Sequence, residues 1–77
     1  MTLKADGFDG AILGCTNEGV LVYSVEQCIN ILIAEGLSEI DAIEHMNFNV
    51  IGAYVGDYTP IFIYENWQLL IEELNES

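Results

Sequence analysis

The apolar positions of this chain recur first with a period of two, then near 3.6, then near two again, which predicts strands, helices and strands in that order. Residues 11–15 and 20–23 are short β-type runs divided by Thr16-Asn17-Glu18-Gly19, and a polar, Gly-containing spacer of this kind predicts a hairpin. Gly14 either weakens the first strand or marks a close approach by another segment. Ser24-Val25-Glu26-Gln27 is a capping box: the Ser24 hydroxyl accepts from the Gln27 amide while the Gln27 side chain reaches back to the Ser24 amide. The helix it opens is expected to run to Glu35, with Gly36 as a left-handed cap and Leu37 as the apolar contact behind it. Val25, Cys28, Ile29, Ile31, Leu32 and Ile33 make its apolar stripe too wide for a helix lying on one sheet. Such a helix is either central in the domain or shared with a second copy.

Ser38 opens a second helix, with Glu39 and Asp41 in the first turn, where the positive end of the helix dipole favours them. Ile40, Ile43, Met46 and Val50 are its expected inner stripe, and it ends near Asn49 or Gly52. The short Gly36-Leu37 connection makes the pair a helical hairpin. Two further β-type runs, residues 53–55 and 61–64, surround a turn-rich segment that ends in Pro60, which is tolerated at the start of a strand. Trp67, Leu70, Ile71 and Leu74 then fall at helical spacing, with Asn66 as cap. The order β-β-α-α-β-β-α predicts an α+β fold: a small antiparallel sheet of three or four strands, the helical hairpin on one face, and a C-terminal amphipathic helix. In residues 61–64, alternation puts Ile61 and Ile63 on one face of the sheet and Phe62 and Tyr64 on the other. Both faces are then apolar, so the second must be covered by the tail helix or by a partner.

Charge narrows the function. Thirteen Asp and Glu stand against one Lys or Arg (Lys4) and one His in 77 residues, a formal charge of −12. Phosphate contacts need Lys and Arg, so direct nucleic-acid binding is excluded, and an anionic membrane surface is disfavoured for the same reason. At 52% hydrophobic residues the chain is no disordered acidic tail. A domain this small buries only about 60% of its unfolded surface. Burial in a homo-oligomer, a dimer above all, is therefore an expected supplement. Residues 1–77 read as a single acidic domain in which residues 1–10, with turn dipeptides Asp6-Gly7 and Asp9-Gly10, form a loop or frayed arm. The N-terminus lacks the apolar core of a signal peptide, and no apolar run approaches the roughly 20 residues of a membrane span. A bacterial cytoplasm, with Cys15 and Cys28 reduced, is the expected setting.

Several stretches of the chain form a distinctive set. They are Phe8-Asp9 before Ala11-Ile12-Leu13-Gly14, Val22-Tyr23 before Glu26-Gln27-Cys28, and Glu35-Gly36-Leu37-Ser38 before Asp41-Ala42-Ile43-Glu44. The most specific block runs from Phe48-Asn49-Val50-Ile51-Gly52 through Ala53-Tyr54-Val55-Gly56 to Thr59-Pro60-Ile61-Phe62. Together these stretches, spanning about residues 8–64, resemble a group of small tailed-bacteriophage proteins, and the resemblance implies an early or accessory phage protein, acting in the host cytoplasm, without catalytic residues to carry over. The chain departs from that pattern in its short linker between the first strands and in its tail from Trp67.

Catalytic and metal chemistry find little to build on. Cys15, Cys28 and His45 lack metal-ligand spacing, and Cys28 on an inner helical stripe reads as a small core hydrophobe. The segment Asp6-Gly7-Phe8-Asp9-Gly10 lacks the length and distal Glu of a calcium loop. A reactive Cys–His pair wants an electropositive setting that this chain does not supply. No Gly-rich phosphate loop with its Lys occurs. No enzyme activity, cofactor or metal is expected. Two features remain. The aromatic residues Tyr54, Tyr58, Phe62, Tyr64 and Trp67 are dense, and Tyr and Trp favour interfaces, although a small sheet also uses them for its core. Carboxylates at Glu26, Glu35, Glu39, Asp41, Glu44, Asp57, Glu65, Glu72, Glu73 and Glu76 form an array that either imitates the phosphates of DNA or keeps an apolar protein soluble. The expected partner-binding set is Glu35, Glu39, Asp41, Glu44, Tyr58, Tyr64, Trp67, Glu72 and Glu73, facing a host protein with a basic surface. A self-assembling structural component and a small-molecule (nucleotide) sponge are the alternatives.

Overall fold

A computed structural model describes residues 3–52, 56 and 58–68. Residues 3–10, expected as a loop or frayed arm, take an irregular path whose Ala5 and Phe8 are nevertheless buried. The Ala5 N–H donates to the buried Tyr23 hydroxyl at 2.9 Å, which ties this segment to the sheet. A 3-10 turn, Asp9–Ala11, then leads into strand β1, Ile12–Cys15. The polar spacer closes the hairpin through Thr16. Its amide donates to Val20 O at 2.8 Å, and its hydroxyl accepts from the amides of Glu18 and Val20. Strand β2, Leu21–Ser24, returns antiparallel to β1. The register slips between Ile12 and Gly14, which leaves Leu13 as a bulge residue. Space beside Gly14 is open, so that glycine marks the bulge rather than a close approach.

Ser24 is both the last residue of β2 and the N-cap of helix α1, Val25–Ala34, accepting from Gln27 N at 3.2 Å. The reciprocal half of the expected box is not made. Instead the Gln27 side chain donates to Glu65 Oε1 at 2.8 Å. The C-terminal stop follows expectation: Gly36 has φ +113°, its amide donates to Ile33 O, and the Leu37 amide donates to Leu32 O. Leu37 packs against the core. Helix α1 is central, touching the 3-10 turn, β2, the second helix and the segment after it, and that accounts for its wide apolar stripe.

Helix α2, Glu39–His45, is capped by Ser38, whose hydroxyl accepts from Asp41 N at 3.2 Å, and it widens into a π-helical segment, Met46–Ile51. Its inner stripe differs from the expected one. Ala42, Met46 and Val50 are buried, whereas Ile40 and Ile43 are exposed. The small Ala42 joins the same core cluster as Cys28 and Leu32 of the central helix, and the i, i+4, i+8 spacing then fixes which residues turn inward.

Strand β3, Ile61–Ile63, completes a three-stranded sheet in the order β1-β2-β3. It pairs with β2 in parallel, Val22 opposite Ile61 and Tyr23 opposite Phe62, so the sheet is mixed and the expected all-antiparallel arrangement is corrected. Parallel neighbours need a long crossover connection, which the helical hairpin and the residues after it supply. Tyr23 and Phe62 stack with centroids 5.3 Å apart, closing the inner face over a core of Ala5, Phe8, Ala11, Tyr23, Cys28, Leu32, Ala42, Met46 and Val50. The α+β class holds. The expected strand at residues 53–55 and the body of the C-terminal helix lie outside the described residues, although Trp67 and Gln68 already have helical backbone.

Candidate functional site: an acidic and apolar surface

The carboxylates of the helical hairpin come from its caps and first turns. Glu35 follows α1, Glu39 and Asp41 occupy the first turn of α2, and Glu44 lies one turn later; all four are exposed. Lys4 cannot offset them at range, because its Nζ is paired with Asp9 Oδ2 at 3.0 Å. The hydrogen bond and charge of Asp9 hold the Lys4 ammonium above its ordinary pKa of 10.5. The described surface therefore keeps a strongly negative field around the hairpin.

The expected aromatic anchors Tyr58, Tyr64 and Trp67 are all exposed, Trp67 at 58%. They belong to the other end of the chain, around β3, and Phe62 between them turns inward onto Tyr23. Glu72, Glu73 and Tyr54 lie outside the described residues. On the outer face of the sheet, Val22 pairs with Ile61 and Gly14, and Ile61 and Ile63 remain exposed, as does the bulge residue Leu13 on β1. No ionisable group stands among these positions.

Two groups escaped the sequence reading. Glu26, noted there only as one member of the acid array, reaches from the first turn of α1 to the segment after β3. Its Oε1 accepts from the Glu65 amide and its Oε2 from the Asn66 amide, each at 2.9 Å. Partial burial works against its charged form, but these amide donors and the Ser24 hydroxyl outweigh it and hold the carboxyl below its ordinary value of 4.5. The second group is Ile40 and Phe48, exposed at 70% and 78% on α2 and the π-helical segment. The four-residue spacing from Ala42 to Met46 to Val50 was the available signal, since it places Ile40 and Phe48 on the opposite side of the helix.

Cys28 is buried in the core, and burial pushes its thiol up to about 11, which suppresses the thiolate a nucleophile requires. Cys15 is exposed at the end of β1. His45 Nδ1 lies 3.4 Å from Asn49 Nδ2. Among the described residues no group of three or more His, Cys, Asp or Glu gathers as a metal site, and no helix is long and apolar enough to cross a membrane. No protein-family model, curated protein or solved structure matches the chain.

Proposed function

We propose that this protein is a non-enzymatic binding protein that engages and modulates a basic host protein through its acidic helical hairpin, in the manner of a phage accessory factor acting in the bacterial cytoplasm. The observation that carries this reading is the exposure of Glu35, Glu39, Asp41 and Glu44 together, in a chain whose single Lys or Arg is already ion-paired. A surface of one sign steers an oppositely charged partner and selects against others. Partners that normally hold nucleic acid present the complementary charge, which is the sense in which the chain acts as a DNA mimic. The test is capture of the tagged protein's partners from bacterial lysate at low and high salt, with duplex DNA as competitor. A basic protein retained at low salt, released at high salt and displaced by DNA supports the proposal. Recovery of the protein's own copies alone contradicts it.

A second reading, self-assembly, draws on the outer sheet face, where Val22, Ile61 and Ile63 carry no charge to repel a second copy. Three strands of this length cover only about 200 Å², against about 800 Å² per partner in a stable interface. By itself that face falls well short of a stable dimer interface. Sedimentation equilibrium decides this reading.

A further inference from the structure

Ile40, Glu44 and Phe48 recur at i, i+4 and i+8, directly across the helix from the buried Ala42, Met46 and Val50. On an α-helix, residues four apart drift about 40° per step. The wider π turn from Met46 to Ile51 works against that drift over the second step. The outward stripe is neither a solvated polar face nor a buried one: its two ends are large apolar side chains left in water, and Ile43 is exposed alongside. Carboxylates stand among and around them, Glu44 between Ile40 and Phe48, with Glu39 and Asp41 flanking Ile40 in sequence.

Resting on the acidic-surface reading and deepening it, we propose that this face of α2 and its π-helical extension is a docking surface for one kind of partner: a basic amphipathic protein segment. It would carry apolar residues at helical spacing with Lys or Arg beside them. Ile40, Ile43 and Phe48 are the apolar anchors, and Glu39, Asp41 and Glu44 receive the basic side chains. Charge complementarity selects this occupant. A second copy related by a two-fold axis would bring the same carboxylates face to face, and an anionic lipid surface would be repelled. A purely basic segment would leave the apolar anchors in water, whereas an amphipathic helix covers them while its charges stay at the rim. From residue 40 to residue 48 the stripe is about 12 Å long, which two to three turns of a helix span.

The probe is a fluorescent peptide of about 14 residues, with Leu at i, i+3, i+4 and i+7 and Lys elsewhere. A second peptide of equal charge has Ser in place of Leu. Both are titrated by fluorescence anisotropy against the full chain and against Phe48→Ser and Ile40→Ser, whose folding is checked by circular dichroism. The amphipathic peptide should bind about tenfold more tightly than the Ser peptide, and each variant should lose most of that advantage without changing affinity for the Ser peptide. Equal binding of the two peptides, or an advantage that both variants retain, overturns the docking surface. If the Ser peptide still binds in a salt-sensitive manner, the acidic-surface reading survives that failure; if neither peptide binds at low salt, both readings fall. A wild-type dimer that Phe48→Ser dissociates assigns the face to self-association and also overturns the proposal.

Discussion

At the scale of single residues, the same side-chain chemistry serves different ends according to what surrounds it. Cys28 and Cys15 differ only in placement, one buried with its thiol pushed up to about 11 and the other exposed. A thiol reagent at neutral pH should therefore label Cys15 promptly and Cys28 only on unfolding, which mass spectrometry of the modified protein reports. Glu26 is one of thirteen acidic residues, but among the described residues it alone holds two backbone amides of the segment after β3. Replacing it by Gln keeps the shape and removes the charge-assisted part of those bonds. In this partly solvated position the loss should be about 1 kcal/mol or less, a fall of a few degrees in Tm for a domain of this size. Because the folded carboxyl titrates below its ordinary value of 4.5, the contribution is fully present above that pH and fades as pH drops through the folded value. The Tm difference between wild type and Glu26→Gln should hold at neutral pH and close under acid. A difference that stays constant as the pH is lowered would assign the effect to packing instead of charge.

At the scale of elements, what the sequence made legible was what depends on neighbours in the chain. Ser24 and Ser38 cap their helices, Gly36 stops the first at φ +113°, and Thr16 to Gly19 turn the hairpin, each through contacts within a few residues. The direction of β3 was not legible, because alternation with a period of two is the same in parallel and antiparallel strands. The inner stripe of α2 was misread for a different reason. Hydropathy ranks Ile40 above Ala42, but it is the smaller residue that joins the core. Half of the capping box was also lost, since Gln27 found a partner 38 positions away that no local rule names. The stripe makes a discriminating prediction. Ala42→Leu should overpack the contact between the helices and cost about 1–3 kcal/mol, whereas Ile40→Ser, on an exposed position, should change stability by about 0.5 kcal/mol or less. Urea melts of the two variants check this; the opposite ranking would mean that the sequence-level stripe is the true one.

At the scale of the whole molecule, the candidate site was half legible. Composition alone announces the charge of −12, and helix capping places Glu35, Glu39, Asp41 and Glu44 on one hairpin. What no pattern could supply is which large apolar side chains would be left outside, since that follows from how α2 is rotated against α1. Self-repulsion in so acidic a domain is relieved when counter-charge arrives, so a basic partner should both bind and stabilise it. The most direct measurement compares the wild-type protein with the combined variant Glu35→Gln, Glu39→Gln, Asp41→Asn, Glu44→Gln in binding to the basic partner captured at low salt. Affinity is followed as a function of ionic strength by isothermal titration calorimetry. The wild type should bind with an affinity that falls steeply as salt rises, and the neutralised variant should bind at least tenfold more weakly with a flatter dependence. Unchanged affinity and an unchanged salt dependence in the neutralised variant would contradict the assignment of the hairpin as the binding surface.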